Sequence, residues 1–90
     1  MTASSTAAVG ATEGLVLYGT SACHLCEIAE QLLGYYHQNI AALQYRNTDI
    51  SESDELFERY GLRIPVLRHS DGRELDWPFS VEELTRFLAT

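Results

Sequence analysis

The chain has 90 residues, 46% of them hydrophobic and 21% charged, which suits one small soluble domain with a modest core. Thirteen acids stand against six arginines and no lysine, a net charge of −7. That balance argues against nucleic acid and anionic membranes as partners, since both bind through basic surfaces, and no apolar run approaches the roughly 18–20 residues of a membrane span.

Residues 1–13 are rich in Ala, Ser, Thr and Gly and read as a flexible tail. The segment lacks the basic and apolar stretches of a secretory signal, so the expected setting is the cytoplasm. Residues 14–90 form the expected domain. Leu15-Val16-Leu17-Tyr18, closed by Gly19, is a short apolar run consistent with a strand buried on both faces. Leu25, Ala29, Leu32, Leu33 and Tyr36 then recur on one helical face, with an end expected near His37 to Asn39.

Ala42 to Thr48 alternates apolar and polar residues and predicts a second strand. Asp49 or Ser51 is placed to cap a helix whose first turn carries Glu52, Asp54 and Glu55, and Gly61 stands where a left-handed residue would end it. Ile64-Pro65-Val66-Leu67-Arg68 reads as a third strand with proline near its start, where the missing N–H is tolerated. Asp71-Gly72 signals a hairpin into a fourth strand, Arg73 to Asp76. Ser80 with Glu83 forms a capping box before Val81, Leu84, Phe87 and Leu88. The order is β-α-β-α-β-β-α, an α/β domain with a four-stranded mixed sheet and helices on both faces.

Both cysteines of the chain, Cys23 and Cys26, lie at the first strand–helix junction. A helix N-terminus offers unpaired N–H groups and a positive dipole end, which favour thiolate over thiol. A CxxC pair in a reducing compartment points to redox chemistry or metal binding before a structural disulfide. A closed zinc site needs four ligands, and no second CxxC or paired-His motif supplies them; no metal is expected from this chain alone. His24 is either a cation that stabilises the Cys23 thiolate or an exposed spacer. Trp77 is either a core residue at the hairpin exit or the border of a groove beside Cys23.

The strand-Cys23-His24-Leu25-Cys26-helix junction, the Tyr60-Gly61-Leu62-Arg63-Ile64-Pro65-Val66 passage and the hairpin before a last helix together resemble the thioredoxin fold, in its small glutaredoxin-like branch. The resemblance covers residues 14–90. It implies a thiol–disulfide oxidoreductase of cell redox homeostasis, with Cys23 attacking a disulfide and Cys26 resolving the mixed disulfide. It further implies a cis Pro65 facing the dithiol, and an Ile64 backbone left free to pair with an extended peptide or glutathione. His24, Ile64, Pro65 and Trp77 are the implied substrate contacts. Protein or small-molecule disulfides are the implied partners of a monomer with no bound cofactor, and glutathione is a candidate reductant. The alternative is a non-catalytic binding module or redox sensor handling a metal or iron–sulfur cluster through Cys23 and Cys26.

The chain departs from the glutaredoxin pattern at three places. His24-Leu25 replaces the usual Pro-Tyr between the cysteines, and Thr20 stands where a basic residue would meet a glutathione carboxylate. Trp77-Pro78-Phe79-Ser80 occupies the place of the Gly-Gly and acid that hold the γ-glutamyl end.

Overall fold

Leu17 and Leu67 from two strands of one four-stranded sheet, with Leu15 just before the first of them, are buried to within 2% and build the main core on a single face of it. The computed structural model of the chain describes residues 14–89; the expected tail, residues 1–13, lies outside them, as does Thr90. The elements are β1 (Val16–Gly19), α1 (His24–Asn39), β2 (Arg46–Asp49), a 3₁₀ turn (Ile50–Glu52), α2 (Asp54–Tyr60), β3 (Val66–Arg68), β4 (Glu74–Asp76) and α3 (Val81–Leu88). The β-α-β-α-β-β-α order expected from the sequence is present, with the 3₁₀ turn added. In the sheet, ordered β2-β1-β3-β4, β1 runs parallel to β2 and antiparallel to β3, and β3 runs antiparallel to β4.

Side chains alternate across a strand, so β1 and β3 feed two cores. On one face Ala29, Leu33 and Tyr36 of α1 and Leu84 and Phe87 of α3 close over Leu15, Leu17 and Leu67. On the other, Tyr60 and Leu56 of α2 pack with Ile50, Tyr18, Val66 and Ile64, and the Tyr18 and Tyr60 rings stack 4.3 Å apart. Each fully buried aliphatic side chain contributes about 1.5–3 kcal/mol. β1 (Val16–Gly19) is thus covered on both sides, as the continuous apolar run Leu15–Tyr18 implied.

Local chemistry explains where element bounds depart from expectation. Residues 42–45 are not a strand: the Leu43 N–H donates to His37 Nδ1 at 2.9 Å, outside any ladder, while its side chain enters the core. Pairing begins where the Arg46 N–H reaches Leu15 O. Asp49 caps the 3₁₀ turn, and α2 is capped by Ser53, whose hydroxyl accepts from the Leu56 N–H. Gly61 is right-handed (φ −56°); its reason is space, since a Cβ there would stand 2.5 Å from Phe57 O.

The third strand starts at Val66 because the Ile64 N–H is bonded to Tyr60 O and Pro65 has none to give. In the hairpin, Gly72 N–H donates to His69 O and His69 N–H to Arg73 O, with Gly72 at φ +98°. That is a three-residue loop with a left-handed glycine, not a two-residue turn. The Ser80–Glu83 capping box forms as expected, worth about 1 kcal/mol to α3.

Candidate active site

β1 ends at Gly19, Thr20 to Ala22 turn the chain, and Cys23 becomes the N-cap of α1 in extended backbone (φ −114°, ψ 105°). Its Sγ accepts the Cys26 N–H at 3.1 Å, satisfying one of the donors that a helix start leaves open. Cys26 lies within that first turn and forms a disulfide with Cys23, their Cα atoms 5.2 Å apart. Cys23 is half-buried, whereas Cys26 is only 4% exposed. The outer sulfur is therefore the one a partner can reach. On reduction, a thiolate at Cys23 keeps the Cys26 N–H as a charge-assisted donor in addition to the helix dipole.

Gly19 makes the approach of Cys26 to the sheet possible. A Cβ built on it would stand 2.9 Å from Cys26 Sγ and 3.3 Å from Cys26 Cβ. Only glycine leaves room for that sulfur. Gly19 reads in the sequence merely as the close of a strand.

The Ile64–Pro65 bond is cis, as the resemblance implied, and so is Trp77–Pro78, which nothing in the sequence singled out. β3 pairs with β1 through Tyr18↔Val66, so one step further along the register brings Pro65 level with Gly19, the residue against Cys26. The Ile64 backbone is not wholly free. Its N–H is held by Tyr60 O at 3.0 Å, leaving its carbonyl as the group open to an extended chain. Ile64 itself packs on the smaller core. Trp77 is half-buried against the main core, edge-on to Phe79 at 5.0 Å, and its N–H donates to Pro65 O at 3.0 Å. It thus supports the proline segment through its backbone. His24 is exposed, its imidazole 4.0 Å from the Glu27 carboxylate.

Arg63, unremarked in the sequence, ties this loop to β4. Its Nε and Nη2 donate to the two Asp76 oxygens at 2.9 and 2.8 Å, and Nη2 also donates to Glu74 at 2.6 Å. The Tyr60 hydroxyl donates to the other Glu74 oxygen at 2.6 Å, and the guanidinium lies over the Tyr60 ring. Glu74 and Asp76 face the same way because they are two apart on a strand; that spacing was the available signal. The Tyr60 hydroxyl and Arg63 hold Glu74 below the usual carboxylate range, and Arg63 does the same for Asp76.

Lowered carboxylate pKa values stabilise the fold above the unfolded range of about 3.9–4.3 and lose that contribution as pH falls through the depressed folded values. Arg63→Gln should therefore lower stability at pH 7 by about 1–2 kcal/mol, allowing for partial exposure. The gap to the parent should close below about pH 4. Urea unfolding at pH 7 and pH 3 measures both; an equal gap at the two values would show that the fork is not its source.

Comparison with known proteins agrees with this geometry. The glutaredoxin-like domain (DUF836) family model matches residues 14–89. The chain belongs to the glutaredoxin-like domain family. Among solved structures, this glutaredoxin-like domain is similar to the crystal structure of target protein XcR50 from X. campestris. That match has 40% identity and a TM-score of 0.73, covering 83% of this chain and 95% of that one. The solution structure of XcR50 matches at 39% identity and TM-score 0.69, over 82% and 90% of the two chains. Protein Ne2328 from Nitrosomonas europaea matches in solution at 26% identity and TM-score 0.71, over 83% and 89%. No curated protein matches. The glutaredoxin-like domain thus has a thioredoxin-like α/β fold, and its Cys23–Cys26 disulfide supports a thiol redox role. Among the described residues no helix is long and apolar enough to cross a membrane, and no group of three or more His, Cys, Asp or Glu is placed to hold a metal ion.

Proposed function

We propose that this glutaredoxin-like domain is a thiol–disulfide oxidoreductase in which Cys23 attacks a disulfide and Cys26 resolves the mixed disulfide. The observation that carries the reading is the asymmetry of the pair: an N-cap sulfur within reach of solvent, bridged to a buried sulfur one turn inside the helix. Exchange requires such an accessible attacker with thiolate character and a second thiol held close by.

Protein disulfides fit the surroundings of Cys23 better than glutathione. Leu25 and Leu62, 47% and 103% exposed, lie two residues after Cys23 and two before Ile64, where they would meet an extended chain on the Ile64 carbonyl. Glutathione carries two carboxylates and would approach a chain of net charge −7. Arg63 is already held by Glu74 and Asp76 and is not free to meet those carboxylates.

The test is a single turnover of the reduced protein with bis(2-hydroxyethyl) disulfide, which is neutral, and with glutathione disulfide. The neutral compound should react about tenfold faster at low salt, and the difference should narrow as ionic strength rises and screening shortens the reach of the repulsion. Failure to reduce either compound would remove the oxidoreductase reading. Faster, salt-independent reaction with glutathione disulfide would overturn the preference.

A further inference from the structure

A cleft of about 220 Å³ opens between the ends of β1 and β2 and the start of α1, its wall including Thr20, Cys26, Glu30, Asn47, Thr48 and Asp49. In disulfide exchange the entering, central and leaving sulfurs lie in line. A substrate therefore meets Cys23 on the side away from Cys26, and this cleft is not where the substrate sits. It is where Cys26 meets water. Cys26, 4% exposed, must lose a proton to resolve a mixed disulfide, and burial disfavours its thiolate.

Three groups near the cleft could take that proton. Asp49 already accepts the Ser51 N–H and hydroxyl at 2.9 and 2.8 Å, bonds that hold its carboxyl below the usual range and weaken it as a base. Tyr45 is pushed up by burial and then by the charge of Glu30, so it stays a neutral phenol. Glu30 stands four residues after Cys26 on α1, hence on the same helical face, at the cleft wall. Among the described residues its carboxylate takes no hydrogen bond or ion pair. In the first turn of α1, His24 and Glu27 face each other in solvent.

We propose that Glu30 is the proton acceptor for Cys26 in the resolving step, acting through water in the cleft; this rests on the oxidoreductase reading above. Cys26 Sγ forms its bond to Cys23 Sγ as the bond from Cys23 to the substrate sulfur breaks. The substrate sulfur leaves with the electron pair, and the Cys26 proton passes through water to the Glu30 carboxylate and on to bulk. The disulfide substrate is the sole oxidant. Reversal returns the proton from Glu30 to the leaving Cys26.

Glu30→Gln in the full chain tests this. Single turnovers with bis(2-hydroxyethyl) disulfide separate attack, which depends on disulfide concentration, from resolution, which does not. At pH 7 the variant should resolve about tenfold or more slowly, with a steeper rise toward alkaline pH. Its resolution should also accelerate linearly with imidazole buffer, while that of the parent is indifferent to buffer. Resolution at the parent rate, or slow resolution that buffer does not restore, overturns the proposal. Failure of the reduced parent to release thiol from the disulfide at all overturns the oxidoreductase reading on which it rests.

Discussion

Cys23→Ser should lose disulfide reduction by about 10³-fold or more, because a hydroxyl with no adjacent base is a far weaker nucleophile than a thiolate. Cys26→Ser should behave differently. Its Cys23 still caps α1 through a backbone donor, so attack proceeds at a rate near the parent's, and the reaction stops at the mixed disulfide. Turnover is lost in both variants, but only one of them loses the first step. That split follows from the half-buried outer sulfur and the buried inner one. Rapid-reaction traces of thiol release resolve the two steps. Equal loss of the first step in both variants would mean that the sulfurs share the attacking role.

Gly19→Val carries the second large effect. Any Cβ at this position lies 2.9 Å from Cys26 Sγ, so the strand end or the disulfide turn must move. Overpacking of this kind costs about 1–3 kcal/mol, or about 4–8 °C in Tm for each kcal/mol in a domain of this size. The clash is with a sulfur that the disulfide holds in place, so the oxidised form should suffer more than the dithiol. Each 1.4 kcal/mol of that difference makes the couple about 30 mV more oxidising. Melting curves of the two redox forms and a titration in thiol–disulfide buffers measure it. Parent-like Tm and potential would show that the first turn of α1 yields freely.

How far the sequence could be read depended on how local each cause is. The junction around Cys23 and Cys26 was legible because a strand end, two cysteines and a helix start sit within a dozen residues. Ser80 and Glu83 announced their cap for the same reason. Pro65 was legible through its family resemblance, and the structure gives it the cis bond implied.

Gly19 was not legible as a contact of Cys26, since the need for glycine arises only when the helix folds back onto the strand. Arg63 bonds residues 11 and 13 positions away, and only the Val66↔Asp76 and Arg68↔Glu74 pairing brings them near it. The missed start of β2 has a local cause of another kind: His37 diverts the Leu43 N–H from the ladder. Ile64 shows the limit of resemblance, for its N–H is bonded within its own loop.

The division of labour between the two sulfurs is tested most directly by the intact mass of reduced Cys26→Ser protein after exposure to bis(2-hydroxyethyl) disulfide. A single adduct on Cys23, removed by dithiothreitol and prevented by prior alkylation, is the predicted result. No adduct, or an equal one formed as fast on Cys26 in the Cys23→Ser protein, would contradict it.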